Sequence, residues 1–307
     1  MDREFKGPNR HPTQLMRNFL KYFPGLSVIL SCLLISSAKA QGSNDVRSRL
    51  TIPDSAHTQI LTLRDGSTIF GRVAAVNADT VVFDTQGGRL QISIASIREI
   101  KQIAASDVRN GAYWFPNPNS TRLFFAPTGQ MLKQGEGYVS DYELFFPGVA
   151  FGLTDNVTIG GGVSLLPASA EDQVYYLTPK IGVSLSDKVH LATGVLFAGT
   201  KGGTGGVYYA VGTVGDGNAS VTIGGGYGFA GGKIESKPVG MIGAERRISR
   251  RIGLVTENYL LPVSQDNVLY SFGIRFMGEK LTTDLALANI AGSGVIGFPF
   301  VDFVFRF

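Results

Sequence analysis

The sequence predicts an all-β protein: a closed antiparallel transmembrane β-barrel of about twelve strands, preceded by a small β-barrel domain. Three observations predict it. Short polar turns recur at intervals of about thirty residues over the C-terminal two-thirds. The segments between them are mostly close to the roughly 9–11 residues that a tilted spanning strand needs. The chain ends on FPFVDFVFRF (298–307), an apolar strand where chain ends are ordinarily solvated.

Residues 1–40 read as a secretory signal peptide. Arg3, Lys6, Arg10, Arg17 and Lys21 form a basic start, LSVILSCLLI (26–35) is the apolar stretch, and SSAKA ends at Ala40. The apolar run is about ten residues, short of the roughly 20 of a spanning helix. A lipoprotein alternative through Cys32 is weaker, because apolar residues follow the cysteine. Of 28 basic and 24 acidic residues, the first forty hold six and two, leaving 22 of each. The net charge of +4 therefore belongs to the targeting segment and gives no reason to expect nucleic acid. Cys32 is the only cysteine, and only His57 and His190 follow residue 40. No disulfide, no thiolate chemistry, no metal site built from these residues and no cofactor is expected.

Residues 41–57 form a polar lead-in. From 58 to 104 the strands QILTL, TIFGRVAAV, TVVFDT and RLQISIASIREIKQI are separated by RDG, NAD and QGG turns, a meander of about five short strands. LTLRDGSTIFGRVAAVNADTVVFDT, with its DG turn and the internal Gly71, resembles the Sm-like and SH3-like small-barrel families. In Sm-like RNA binders an Asp/Asn loop and a later Arg-Gly hold bases. Here NAD (77–79) is a partial match and QGGRL has the opposite order, so the resemblance implies a packing or docking module for a periplasmic protein partner.

Residues 105–119 are expected to link the domains and carry Trp114; residues 120–307 form the barrel. Its tight turns are TDN (154–156), SDK (186–188), GDGN (215–218), SRR (249–251) and GEK (278–280), with starts 32, 29, 34 and 29 residues apart. VTIGGG follows such a turn twice, at 157–162 and 221–226. The strands run over 120–127, 138–153, 157–166, 174–185, 189–198, 207–214, 219–229, 238–248, 252–261, 267–277, 281–290 and 296–307. Looser connections lie on the other side, and short turns mark the periplasmic side of such barrels. Pro147, Pro179 and Pro299 oppose this register unless they mark bulges or strand starts, since each lacks a ladder donor.

A Lys or Arg on a lipid face near the midplane costs about 2–4 kcal/mol. Lys180, Glu257, Arg275, Asp284 and Asp302 are therefore expected in the lumen, more as ion pairs in a narrow barrel than as a binding site. Glu245 and Arg246 are neighbours and cannot both point inward, but a turn lies close. Tyr175, Tyr176, Tyr208, Tyr209, Tyr259 and Phe298 are candidates for an aromatic girdle. Gly292–Gly297 fits G-x-G-x-x-G without the following helix and acidic residue of a dinucleotide site, and GTKGGTGG lacks the Lys-Ser/Thr of a phosphate loop. His190, with Ser184 and Asp187 nearby, has no diagnostic nucleophile–base spacing.

The final strand carries Phe303, Phe305 and Phe307 on one side and Asp302 and Arg306 on the other. It resembles the C-terminal signal by which outer-membrane proteins engage the barrel-assembly machinery, and it is expected to close the ring with the first strand, near residue 120. NPNSTRLFFAPTG, GEGYVSDYELFFP and this terminal strand resemble bacterial outer-membrane β-barrel proteins that carry an N-terminal Sm/SH3-like domain and have no assigned activity. The resemblance implies outer-membrane lipid around the barrel, the small domain in the periplasm, and a non-enzymatic narrow pore or structural anchor. A membrane-embedded hydrolase and a secreted soluble β-protein stay open as alternatives.

Overall fold

The computed structural model describes residues 43–109, 111–167, 169, 172–261, 268–291 and 297–307. The expected signal peptide, the PVSQD connection and most of Gly292–Gly297 lie outside the described residues. The chain divides into two compact units, one ending at Trp114 and one spanning Phe115–Phe307.

In the first unit, α1 (Ser43–Arg49) precedes β1 (His57–Leu63), β2 (Thr68–Val76), β3 (Thr80–Thr85), β4 (Gly88–Ser93) and β5 (Ile97–Ala104). They form one antiparallel sheet in the order β4-β3-β2-β1-β5. The β1–β2 turn closes on Asp65, whose Oδ1 accepts the Ser67 N–H at 2.8 Å, with Gly66 at φ +90°. Leu61, Val73, Val81, Phe83 and Ile97 are the fully buried centre. A Cβ at Gly71 would stand 2.2 Å from the Asp84 carbonyl oxygen, so only glycine lets β2 cross β3 this closely. Gln59 is buried but satisfied: its amide donates to the Thr51 carbonyl at 2.8 Å and accepts the Val73 N–H at 2.8 Å.

The polar lead-in is corrected: it contains α1, because Val46 and Leu50 stand four residues apart and bury together against the sheet. The linker is corrected as well. β6 (Val108–Arg109) and β7 (Ala112–Tyr113) form a small ribbon, Arg109 stacks on Trp114 at 5.0 Å, and residues from Phe115 onward belong to the second unit.

The second unit is a closed antiparallel barrel of twelve strands. Its segments are β8 (Gly137–Tyr142), β9 (Phe146–Thr154), β10 (Val157–Val163), β11 (Tyr175–Leu177), β12 (Lys180–Ser186), β13 (Val189–Thr200), β14 (Gly203–Gly215), β15 (Ala219–Ala230), β16 (Lys233–Ser249), β17 (Ile252–Leu260), β18 (Val268–Met277), β19 (Leu281–Ile290) and β20 (Phe298–Arg306). β11 and β12 both pair with β10 and β13 and count as one strand, interrupted at Thr178–Pro179. β20 pairs with β8, which pairs with β9, which pairs with β10, so no edge is left open. Pro147 and Pro299 are the second residues of β9 and β20, and Pro179 sits in the interruption. The prolines thus fall at strand starts and a break.

Alternation sorts the faces. Ile181, Val183 and Leu185 on β12, and Val268, Tyr270, Phe272, Ile274 and Phe276 on β18, stand bare on the outside, with Phe272 65% exposed. Glycines make close contacts: Tyr176 Oη stands 2.1 Å and 2.5 Å from where Cβ atoms at Gly148 and Gly162 would lie.

Three expectations about the wall are corrected. Residues 120–127 are not its first strand. The span 138–153 is two strands, β8 and β9, joined through Glu143–Phe145. Closure is made with Tyr138–Tyr142, not near residue 120. The missed turn has no Gly, Asn or Pro to announce it. Glu143 and Leu144 adopt φ +56° and +64°, and the Phe145 N–H donates to the Tyr142 carbonyl at 3.1 Å. Each such residue costs about 1–2 kcal/mol relative to glycine. Leu144→Gly is therefore expected to stabilise the barrel by about 1 kcal/mol, read as a raised urea midpoint with an unchanged slope.

Candidate functional site

Residues 115–132 run inside the barrel. At their centre the chain folds back on itself: the Leu123 N–H donates to the Ala126 carbonyl at 2.8 Å and the Thr128 N–H to the Thr121 carbonyl at 3.0 Å, with Arg122 bridging Pro127. Most of this plug hairpin is shielded: Asn119, Thr121, Arg122 and Thr128 bury beside Leu123 and Phe124, while Phe125 at the tip is exposed. Glycines on the wall make room for the segment. A Cβ at Gly243 would stand 2.3 Å from Leu123 Cδ1, and one at Gly152 would stand 2.3 Å from the Lys133 carbonyl oxygen.

Buried polar groups need partners, and the wall supplies them. All five expected lumenal residues are buried; the structure brings Arg275 and Asp284 together, while Lys180, Glu257 and Asp302 each bond elsewhere in the interior. Glu257 Oε2 accepts three successive N–H groups from the hairpin tip, Phe124, Phe125 and Ala126, at 2.9, 3.0 and 3.0 Å. Its Oε1 accepts from the Tyr259 hydroxyl at 2.7 Å. Arg275, fully buried, grips Asp284 with two N–H groups at 2.8 and 2.7 Å and donates to Glu245 Oε2 at 2.8 Å. It also donates to the plug carbonyls of Asn119 at 3.0 Å and Leu123 at 2.7 Å. Asp302 pairs with Arg122, whose guanidinium also lies over the Tyr142 ring at 4.4 Å. Lys180 Nζ donates to the carbonyls of Thr121, Thr128 and Gln130 at 3.2, 3.3 and 2.7 Å.

Sequence reasoning missed Arg122, Glu245, Asn117 and Arg247 as members of this network. Glu245 turns inward and Arg246 outward, and Asn117 donates to Glu245 Oε1 at 2.7 Å. Arg247 donates to the Phe115 carbonyl at 2.7 Å. Among the described residues the buried charged side chains are Arg122, Lys180, Arg247 and Arg275 against Glu245, Glu257, Asp284 and Asp302. The interior is thus balanced in formal charge, and most of its bonds run between wall and plug.

The aromatic assignment is corrected in part. Tyr175 and Tyr208 stand on the outer face and Phe298 is exposed at the start of β20. Tyr176, Tyr209 and Tyr259 point inward, because neighbours in a strand face opposite ways. Tyr227 and Tyr270 complete the outer set of tyrosines. Phe305 and Phe307 are exposed on the outer face and Phe303 is half-buried there, while Asp302 faces in.

Ser184 Oγ and His190 Nδ1 lie 2.8 Å apart near the β12–β13 turn. A serine–histidine–acid triad places serine at Nε2 and the acid at Nδ1. Here serine occupies the acid's position, and no carboxylate joins the pair among the described residues. Among those residues no group of His, Cys, Asp and Glu is arranged to hold a metal ion.

Neither a protein-family model nor a curated protein matches this chain. Solved structures with a similar course include a KdgM porin in complex with disordered oligogalacturonate, 6% identical over 56% of this chain and 95% of that one, with a TM-score of 0.40. Outer membrane phospholipase A from Escherichia coli is 9% identical over 57% and 92%, with a TM-score of 0.33. A loop-deletion form of OmpT, an outer membrane protein of Vibrio cholerae, is 10% identical over 82% and 97%, with a TM-score of 0.31. Similarity at this level carries no argument about activity.

Proposed function

We propose that this protein is an outer-membrane barrel closed by its own residues 115–132, a structural anchor and not an open pore. The single observation that carries the reading is the Glu257 carboxylate seated in three N–H groups of the plug hairpin. A conducting barrel keeps a polar, water-filled lumen. Here the charges that would line one are used up on the plug.

The membrane placement rests on the outer face. Its rows of exposed Ile, Leu, Val and Phe are continuous around the strands, far beyond the few hundred Å² of apolar patch that a water-soluble monomer shows. The signal-peptide pattern of residues 1–40 and the terminal Phe row support export and assembly in the outer membrane, with the short turns periplasmic. On this reading the sheet of residues 57–104, with the Sm/SH3-like resemblance of its sequence, is a periplasmic docking module for a protein partner. The protein acts as a tether, without enzymatic activity of its own.

Planar-bilayer recording tests the closed state. The purified barrel is expected to leave a membrane silent, and Glu257→Ala is expected to open discrete steps as the hairpin loses its anchor. Steady conductance from the unaltered protein would overturn the anchor reading in favour of a pore. The rival hydrolase reading would have to use the Ser184–His190 contact, where serine stands at Nδ1 and no carboxylate joins the pair among the described residues. Hydrolysis of a lipid or peptide panel that disappears in His190→Ala would establish that rival.

A further inference from the structure

The lumen beyond the plug hairpin is apolar where a conducting lumen is polar. A cavity of about 480 Å³ lies there, within the range of about 300–1,000 Å³ of small-molecule sites. Leu196, Val207, Val211, Val239 and Met241 line it, with Phe125 of the hairpin half-exposed into it. Phe125 meets Tyr142 edge-on at 5.6 Å, and Tyr142 meets Phe300 at 6.4 Å, which gives the cavity an aromatic side.

The two cations at this cavity are already committed. Lys180 directs its three N–H bonds to three plug carbonyls, which is all an ammonium has. Arg122 is paired with Asp302 and stacked on Tyr142. Arg122 is thus neutralised by a carboxylate, whereas the three partners of Lys180 are neutral carbonyls, which occupy its N–H groups and leave its charge in place. Thr158 Oγ1, on the lining, has no hydrogen-bond partner among the described residues. Apolar cavities take up apolar molecules.

We propose that this cavity binds the hydrocarbon chain of an amphiphile. The aliphatic side chains contact the chain.

Two methionines of the barrel unit give the readout. Met241 lines the cavity, whereas Met277 lies at the far end of β18, among residues that do not line it. The full chain, methyl-13C-labelled at methionine and held in phosphatidylcholine nanodiscs, is titrated with 1-decanol. The Met241 methyl signal is expected to move and saturate with decanol while Met277 stays still. Ala198→Phe, on the lining, is expected to abolish the Met241 response in protein whose heat-modifiable gel mobility shows it folded. A Met241 signal that stays put, or that drifts without saturating together with Met277, would overturn the proposal. So would an undiminished response in folded Ala198→Phe. The titration of the unaltered protein decides the matter even where that variant does not fold. Conductance reads the plug and the methyl shift reads the cavity, so the two proposals fail separately.

Discussion

Arg275→Ala is expected to lower the unfolding free energy of the barrel by about 3–5 kcal/mol, the usual result of removing one partner from a buried ionic cluster. The guanidinium is fully buried and joins Asp284, Glu245 and the carbonyls of Asn119 and Leu123. Its removal leaves two carboxylates without their cation and two plug carbonyls without their donor. Urea unfolding of the detergent-solubilised protein, followed by gel mobility and circular dichroism, reads the loss. Most of it comes from stranded charge, not from the worth of the pair. The triple substitution Arg275→Met with Glu245→Gln and Asp284→Asn is therefore expected to recover more than half of the deficit. A single variant as stable as the parent would show that water reaches the cluster.

Glu257→Ala is expected to cost about 3 kcal/mol or more, because three adjacent N–H groups lose their acceptor and each unsatisfied buried donor costs about 1–3 kcal/mol. Unlike Arg275→Ala, its effect is concentrated on the plug. The strand ladder around residue 257 is made by the backbone and survives the change. The variant is expected to keep its folded gel mobility while residues 119–128 become cleavable by protease. Glu257→Gln keeps a carbonyl acceptor in place of the carboxylate and is expected to fall between the two, since hydrogen bonds to a charged acceptor are about twice as strong as neutral ones. Equal behaviour of Gln and Ala would deny the carboxylate its role at the hairpin tip.

The periodic part of this architecture was legible in the sequence. Turns such as GDGN carry their own chemistry: Asp216 Oδ1 accepts the Asn218 N–H at 2.7 Å and fixes the β14–β15 hairpin. The period of two then puts Lys180, Glu257, Arg275, Asp284 and Asp302 on one side, and the cost of a charge on the outer face says which side. The plug was not legible. STRLFFAP has the length and apolar content of a strand, and its partner Glu257 lies 133 positions from Phe124. No local pattern distinguishes a hairpin wrapped by a barrel from a strand in its wall. The β8–β9 turn was hidden for a different reason: Glu143 and Leu144 hold a conformation that neither residue type prefers. Glu143 is held there by two bonds to Val301, its N–H to the carbonyl at 2.9 Å and its Oε1 from the N–H at 3.1 Å. In the tyrosine pairs 175–176 and 208–209, the period of two was available and would have placed one ring of each pair inside.

Hydrogen exchange of the plug amides tests the central claim most directly. With the full chain in detergent micelles, the amides of Leu123, Phe124, Phe125, Ala126 and Thr128 are expected to exchange as slowly as those in the middle of β17 and β18. Exchange of these five within seconds, beside protected strands, would contradict a hairpin bound to Glu257 and Arg275 and would leave the barrel without its plug.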